Sequence, residues 1–145
     1  FEGLIAEKAV LASFMPMIAL LGGNSGAQSL AVIIRAMAVG SVPPGRAARA
    51  IRREATIGLI NGVVIATMSG LLGGLVAGDA GIGFVFGVAV FVNLVVAGVV
   101  GASIPIILRR LGQDPALASN IFLTTVTDVV GFGGFLLTAK LVLGL

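Results

Sequence analysis

Four long stretches of this chain carry almost no formal charge: residues 9–34, 55–78, 80–108 and, interrupted only by Asp128, 115–139. About 20 consecutive apolar residues cross the hydrocarbon core of a bilayer as a helix. Each stretch is therefore long enough to span, and the spacing predicts membrane segments over about 9–40, 54–78, 82–108 and 115–142. The expected fold class is all-α and integral to the membrane, a polytopic helical bundle with short connections and no water-soluble domain. Composition supports this: 58% of the 145 residues are hydrophobic and 10% charged, against about one quarter charged in an average soluble domain. The 22 glycines suit membrane helices, where small residues let backbones approach.

Missing residue types exclude much chemistry. With no Cys and no His, the chain has no thiolate nucleophile, no imidazole base and none of the usual transition-metal ligands. A metal handled here has to be a hard cation accepting oxygen ligands. An intramembrane serine hydrolase lacks its base, and an aspartyl type lacks a second carboxylate within a span, so no enzymatic activity is expected. The net charge of +3 does not indicate nucleic acid, because the positive residues lie in short loops between apolar spans.

Those loops orient the chain. Arg46, Arg49, Arg52 and Arg53 follow the first span, and Arg109 and Arg110 follow the third. The positive-inside rule puts both connections on the cytoplasmic side of a cell membrane. The turn at Gly78-Asp79-Ala80-Gly81 and both chain ends then lie outside. The Arg46–Arg53 stripe also has the spacing to lie against anionic headgroups.

Two regions stand out inside the spans. Near the middle of the first, Gly22-Gly23-Asn24-Ser25-Gly26-Ala27-Gln28-Ser29 interrupts apolar sequence, a pattern that tends to break or widen a helix. Broken helices at mid-membrane commonly mark ion sites, while Gly and Ser also build close helix crossings. In the last span, Asn120, Thr124 and Asp128 are spaced i, i+4, i+8 and share a helical face, which Gly131 and Phe135 extend. A carboxylate at that depth costs about 2.5–3.5 kcal/mol on insertion scales and marks a functional site. Lone polar residues elsewhere, Asn61, Thr67, Ser69 and Asn93, read as bridges between helices. Asp114-Pro115 reads as a helix start.

The same residues carry a resemblance. Pro16 with Gly22 to Ser29 and Ile33-Ile34-Arg35-Ala36, the stretch from Ile104 to Asn120, and Thr125-Val126-Thr127-Asp128-Val129-Val130-Gly131 resemble the second, fourth-to-fifth and fifth transmembrane segments of the MgtE magnesium channels. The resemblance implies a Mg²⁺-selective, channel-like pathway on the axis of a homodimer, lined by those second and fifth helices. It implies that the Asp128 carboxylate faces the hydrated ion. It further implies that backbone oxygens of Asn120 and Thr124 help recognise the water shell, and that Gly23 and Asn24 line the pore. Leu20 stands where many members have a further Gly. Members also have one more helix first, preceded by cytoplasmic domains. On that comparison Phe1-Glu2 falls in an outer loop, and the first helix of a five-helix domain is missing.

The physical chemistry fits independently. Mg²⁺ dehydrates reluctantly, so a pathway can hold it by outer-sphere hydrogen bonds to a few oxygens, and conduction requires that binding stay escapable. The alternative is a proton- or sodium-coupled transporter using Asp128 as its coupling carboxylate.

Overall fold

The computed structural model describes residues 2–42 and 44–144, and of residues 2–8, 44 and 117–119 it describes the backbone alone. Four helices account for nearly all of it: α1 (Glu2–Ala38), α2 (Ala47–Ala77), α3 (Ala80–Arg110) and α4 (Pro115–Leu143), with a 3₁₀ turn at Pro44–Arg46 before α2. All four are long and apolar enough to cross a membrane. The protein is a multi-pass helical membrane protein. Glu2 already opens α1, and the reading of Phe1 as outer loop lies outside the described residues.

Helix ends follow local chemistry. At the α2–α3 turn, Gly78 takes the left-handed conformation (φ 67°) and its N–H bonds back to the last turn of α2. Without a Cβ it does so at little cost. Asp79 then caps α3, accepting a hydrogen bond from the Ile82 amide at 3.0 Å. Asp114 caps α4 in the same way, accepting from the Ala116 amide at 2.9 Å. Such a cap contributes about 1 kcal/mol. Arg49, Arg52 and Arg53 ride on the first two turns of α2 rather than in a connection.

The central helix is α3, which packs against the other three, while α1 and α2 barely meet. Its pairing with α2 is a backbone-to-backbone approach. A Cβ built on Gly83 would lie 2.5 Å from the Gly70 carbonyl oxygen and 2.7 Å from the Gly74 Cα. No side chain fits there, which is what membrane helices use small residues for. At one end of the bundle Leu11, Phe14, Ile18, Phe86 and Phe135 form a buried cluster, with the Phe14 and Phe86 ring centroids 4.6 Å apart. At the other, Ile33 and Met37 of α1 pack on Ala47 of α2 and on Ala102 and Ile106 of α3. That end also gathers Ala38, Arg109 and Asp114 around a shared recess. Both basic connections therefore lie at one end. The Gly78–Asp79 turn lies at the opposite end, where Gly81 approaches Leu143.

Candidate functional site

The first span does not break. Residues 22–29 are continuous α-helix within α1, correcting the expectation of an interrupted segment. The physical reason lies in where the small residues face. Gly22, Gly26 and Ser29 are buried, and neighbours occupy the space a side chain would need. A Cβ on Gly22 would collide with the Asn93 amide of α3, and one on Gly26 would lie 2.6 Å from Leu123 of α4. Packing against two neighbours holds the helix together where propensity alone would not. Gly23 is half-buried, Asn24 and Gln28 are exposed, and a Cβ on Gly23 would meet nothing within 4 Å. Packing and a candidate site, alternatives in the sequence, share one helix on different sides. Leu20, Asn24 and Gln28 form an outward ladder at i, i+4, i+8, with Leu20 60% exposed.

On α4 the ladder Asn120, Thr124, Asp128 also looks outward, exposed at its first two positions and half-buried at Asp128. Gly131 and Phe135 do not continue it: both are buried, Phe135 fully. They belong to the adjacent ladder Leu123, Thr127, Gly131, Phe135, Ala139, which forms the inward face. The step of three from Asp128 to Gly131 moves from one i+4 row to its neighbour.

Asp128 makes no hydrogen bond or ion pair with any described residue. Arg35 sits in the last turn of α1 and Lys140 in the last turn of α4. Lys140 is about 18 Å along the helix from Asp128 at 1.5 Å per residue, beyond reach. The hydroxyls nearby turn back on their own helix: Thr124 Oγ1 donates to the Asn120 carbonyl at 2.9 Å. Thr127 Oγ1 donates to the Leu123 and Thr124 carbonyls, both at 3.1 Å. The Asn120 amide and the Asp128 carboxylate are left as the outward polar groups of this face.

One residue ties the two helices together. Asn93 of α3 is 1% exposed, and its Nδ2 donates to the Ile18 carbonyl of α1 at 2.9 Å. The same amide fills the space beside Gly22 of α1 and Gly131 of α4, where an added Cβ would lie 2.8 Å from Nδ2. Gly22 and Gly131 thus share one depth, and Gly26 and Leu123 share another. Asn24 and Asp128 both fall between these levels, so the amide of one helix and the carboxylate of the next stand at comparable depth. The sequence reading of Asn93 as an interhelical bridge holds. Its placement between the two candidate motifs was not legible, because nothing in the sequence pairs Gly22 with Gly131. Thr67 bonds its own helix instead, to the Val63 carbonyl at 2.7 Å.

No group of three or more carboxylates converges to hold a metal among the described residues. The arrangement offers an ion a few outward oxygens rather than a cage. This geometry lies within a recognised sequence domain: residues 15–138 match the MgtE model, a divalent cation transporter. The chain belongs to the MgtE family. It is similar to magnesium transporters named MgtE from three bacteria. It is 38% identical over 145 residues to the protein of Thermus thermophilus, 36% over 129 to that of Enterococcus faecalis and 35% over 130 to that of Bacillus subtilis. These alignments cover 99%, 89% and 90% of this chain, but only 32%, 28% and 29% of the respective relatives. The chain thus spans about a third of the MgtE proteins it matches.

Proposed function

We propose that this MgtE-family domain forms the membrane pathway of a Mg²⁺ transporter in the cell membrane, and that the hydrated ion passes along the outward face of α1 and α4. One observation carries the reading: Asn24, Asn120 and the unpaired Asp128 look out of the bundle within membrane-length helices. Polar groups at that depth do not face lipid; they need protein or a water-filled cavity. A second copy related by a two-fold axis, the commonest oligomer, supplies that cover and doubles Asp128 to two carboxylates around one divalent ion. Water retained by Mg²⁺ bridges to the Asp128 carboxylate, to the Asn24 and Asn120 amides and to backbone oxygens at Asn120 and Thr124. Gly23, open on its outer side, keeps the pathway wide beside Asn24. The chain moves an ion and performs no bond chemistry. Both basic connections face the cytoplasm, and nucleic acid is not a partner.

The test is Mg²⁺ uptake into liposomes by the full-length protein, with Asp128→Asn and Asp128→Ala at matched protein levels. Uptake is expected to fall at least tenfold in both variants. Their thermal stability should be unchanged or higher, since no partner of Asp128 is lost and a membrane carboxylate is removed. Uptake unaffected by either variant removes Asp128 from the pathway. A flux that depends on a proton or sodium gradient supports a coupled carrier instead.

A further inference from the structure

The Arg46–Arg53 stripe is more than an orientation signal. Arg46, Arg49 and Arg53 line one cleft between the end of α1 and the start of α2, together with Ser41 and Glu54. Arg52 does not. The α2 N-terminus adds to this positive field, because its N-cap residue, Arg46, makes no side-chain cap bond and the first amides of a helix attract anions. Glu54 is the discordant member. It is 3% exposed, and its Oε1 is buried with no hydrogen-bond partner. Among the described residues its one ionic neighbour is the Arg53 guanidinium, 3.8 Å away and itself 69% exposed.

A buried carboxylate without hydrogen bonds is costly, and here it forms part of a cleft whose other charges are all positive. A bare divalent cation is repelled by the three guanidiniums. A simple anion satisfies the arginines and leaves Glu54 orphaned. A ligand that satisfies both carries a phosphate and, a few bonds away, an ammonium with N–H donors. The remaining wall is apolar, with Val32, Ala36 and Val42, and Val32 is 43% exposed on the outer surface of α1. An acyl chain can therefore leave the cleft along the span, which argues for a lipid over a soluble phosphate.

We infer that this cleft binds the headgroup of a phospholipid bearing a primary ammonium, its phosphate on Arg46, Arg49 and Arg53 and its ammonium on Glu54. The site lies on α2 and the end of α1, apart from the Asp128 face, and does not depend on the transport reading.

The experiment is native mass spectrometry of the full-length protein, delipidated and titrated with short-chain phosphatidylethanolamine, phosphatidylcholine or phosphatidylglycerol. Wild type is expected to hold phosphatidylethanolamine about tenfold more tightly than phosphatidylcholine, whose methylated ammonium has no N–H, as one charge-assisted hydrogen bond gives. Glu54→Gln should abolish that preference and leave phosphatidylglycerol binding unchanged or stronger. Arg49→Gln, at an exposed position, should weaken all three. Equal affinity of wild type for the ethanolamine and choline lipids overturns the proposal, a comparison that needs no variant to fold. So does a preference that survives Glu54→Gln. Competition by soluble phosphoethanolamine as effective as the lipid itself overturns the lipid assignment and makes the occupant a free phosphoamine.

Discussion

Asn93 shows how one amide organises a membrane bundle. It gives a buried hydrogen bond to the Ile18 carbonyl and takes up the volume that Gly22 and Gly131 leave free. Interhelical hydrogen bonds in membranes contribute about 0.6 kcal/mol on average, so shape matters at least as much as the bond. Gly22→Ala places its methyl into the Asn93 amide and is expected to cost about 1–3 kcal/mol, the usual range for overpacking. In an Asn93→Ala background the same substitution should cost far less, because the colliding atoms are gone. A double-mutant cycle on unfolding in detergent measures this coupling. Additive effects would mean that the two residues do not share one space. Asp128 is the opposite case, a polar residue without a hydrogen-bond or ion-pair partner among the described residues.

At the scale of the helices, two kinds of glycine must be distinguished. Gly83 meets backbone of α2, which cannot swing away as a side chain can. Gly83→Ala should separate the α2–α3 hairpin and cost about 1–3 kcal/mol, read as lower thermal stability. Gly23 meets nothing, and Gly23→Ala should leave the fold intact or stabilise it by up to about 1 kcal/mol through helix propensity. If Gly23 widens an ion pathway, that stable variant nevertheless conducts less Mg²⁺. Unchanged uptake by a stable Gly23→Ala protein would show that this position does not limit flux. The sequence places Gly23 in a polar, glycine-rich stretch and Gly83 in an apolar one, but the contact that leaves Gly83 no room for a side chain comes from α2 and is not written in its neighbours.

For the molecule as a whole, the antiparallel arrangement puts the Arg-bearing connections at one end and the Gly78–Asp79 turn at the other. The absence of Cys makes the orientation directly measurable. A single Cys at position 79 should react with an impermeant maleimide from outside intact cells, and one at position 112 only after permeabilisation. The reverse pattern would overturn the assignment from the positive-inside rule. The outward ladders on α1 and α4 make the same point about assembly. They carry Asn24, Gln28 and Asn120 outward, whereas the last turns of α2 expose Leu71, Leu75 and Val76, a surface suited to lipid.

What the sequence determined by itself is the membrane class, the number of spans, the turn at Gly78–Gly81, the cap at Asp114 and the oddness of Asp128. These depend on local composition, on spacing along a single helix and on the cost of charge in hydrocarbon. Only the tertiary structure decided that α1 stays unbroken through Gly22 to Ser29, because the packing that supports it comes from α3 and α4. It also decided that Gly131 and Phe135 turn inward while Asp128 does not. Helical spacing says which residues share a row, but the crossing of neighbouring helices says which row is covered. Glu54 is the plainest instance. In sequence it is one acid after four arginines, and only the approach of α1 and α3 buries it.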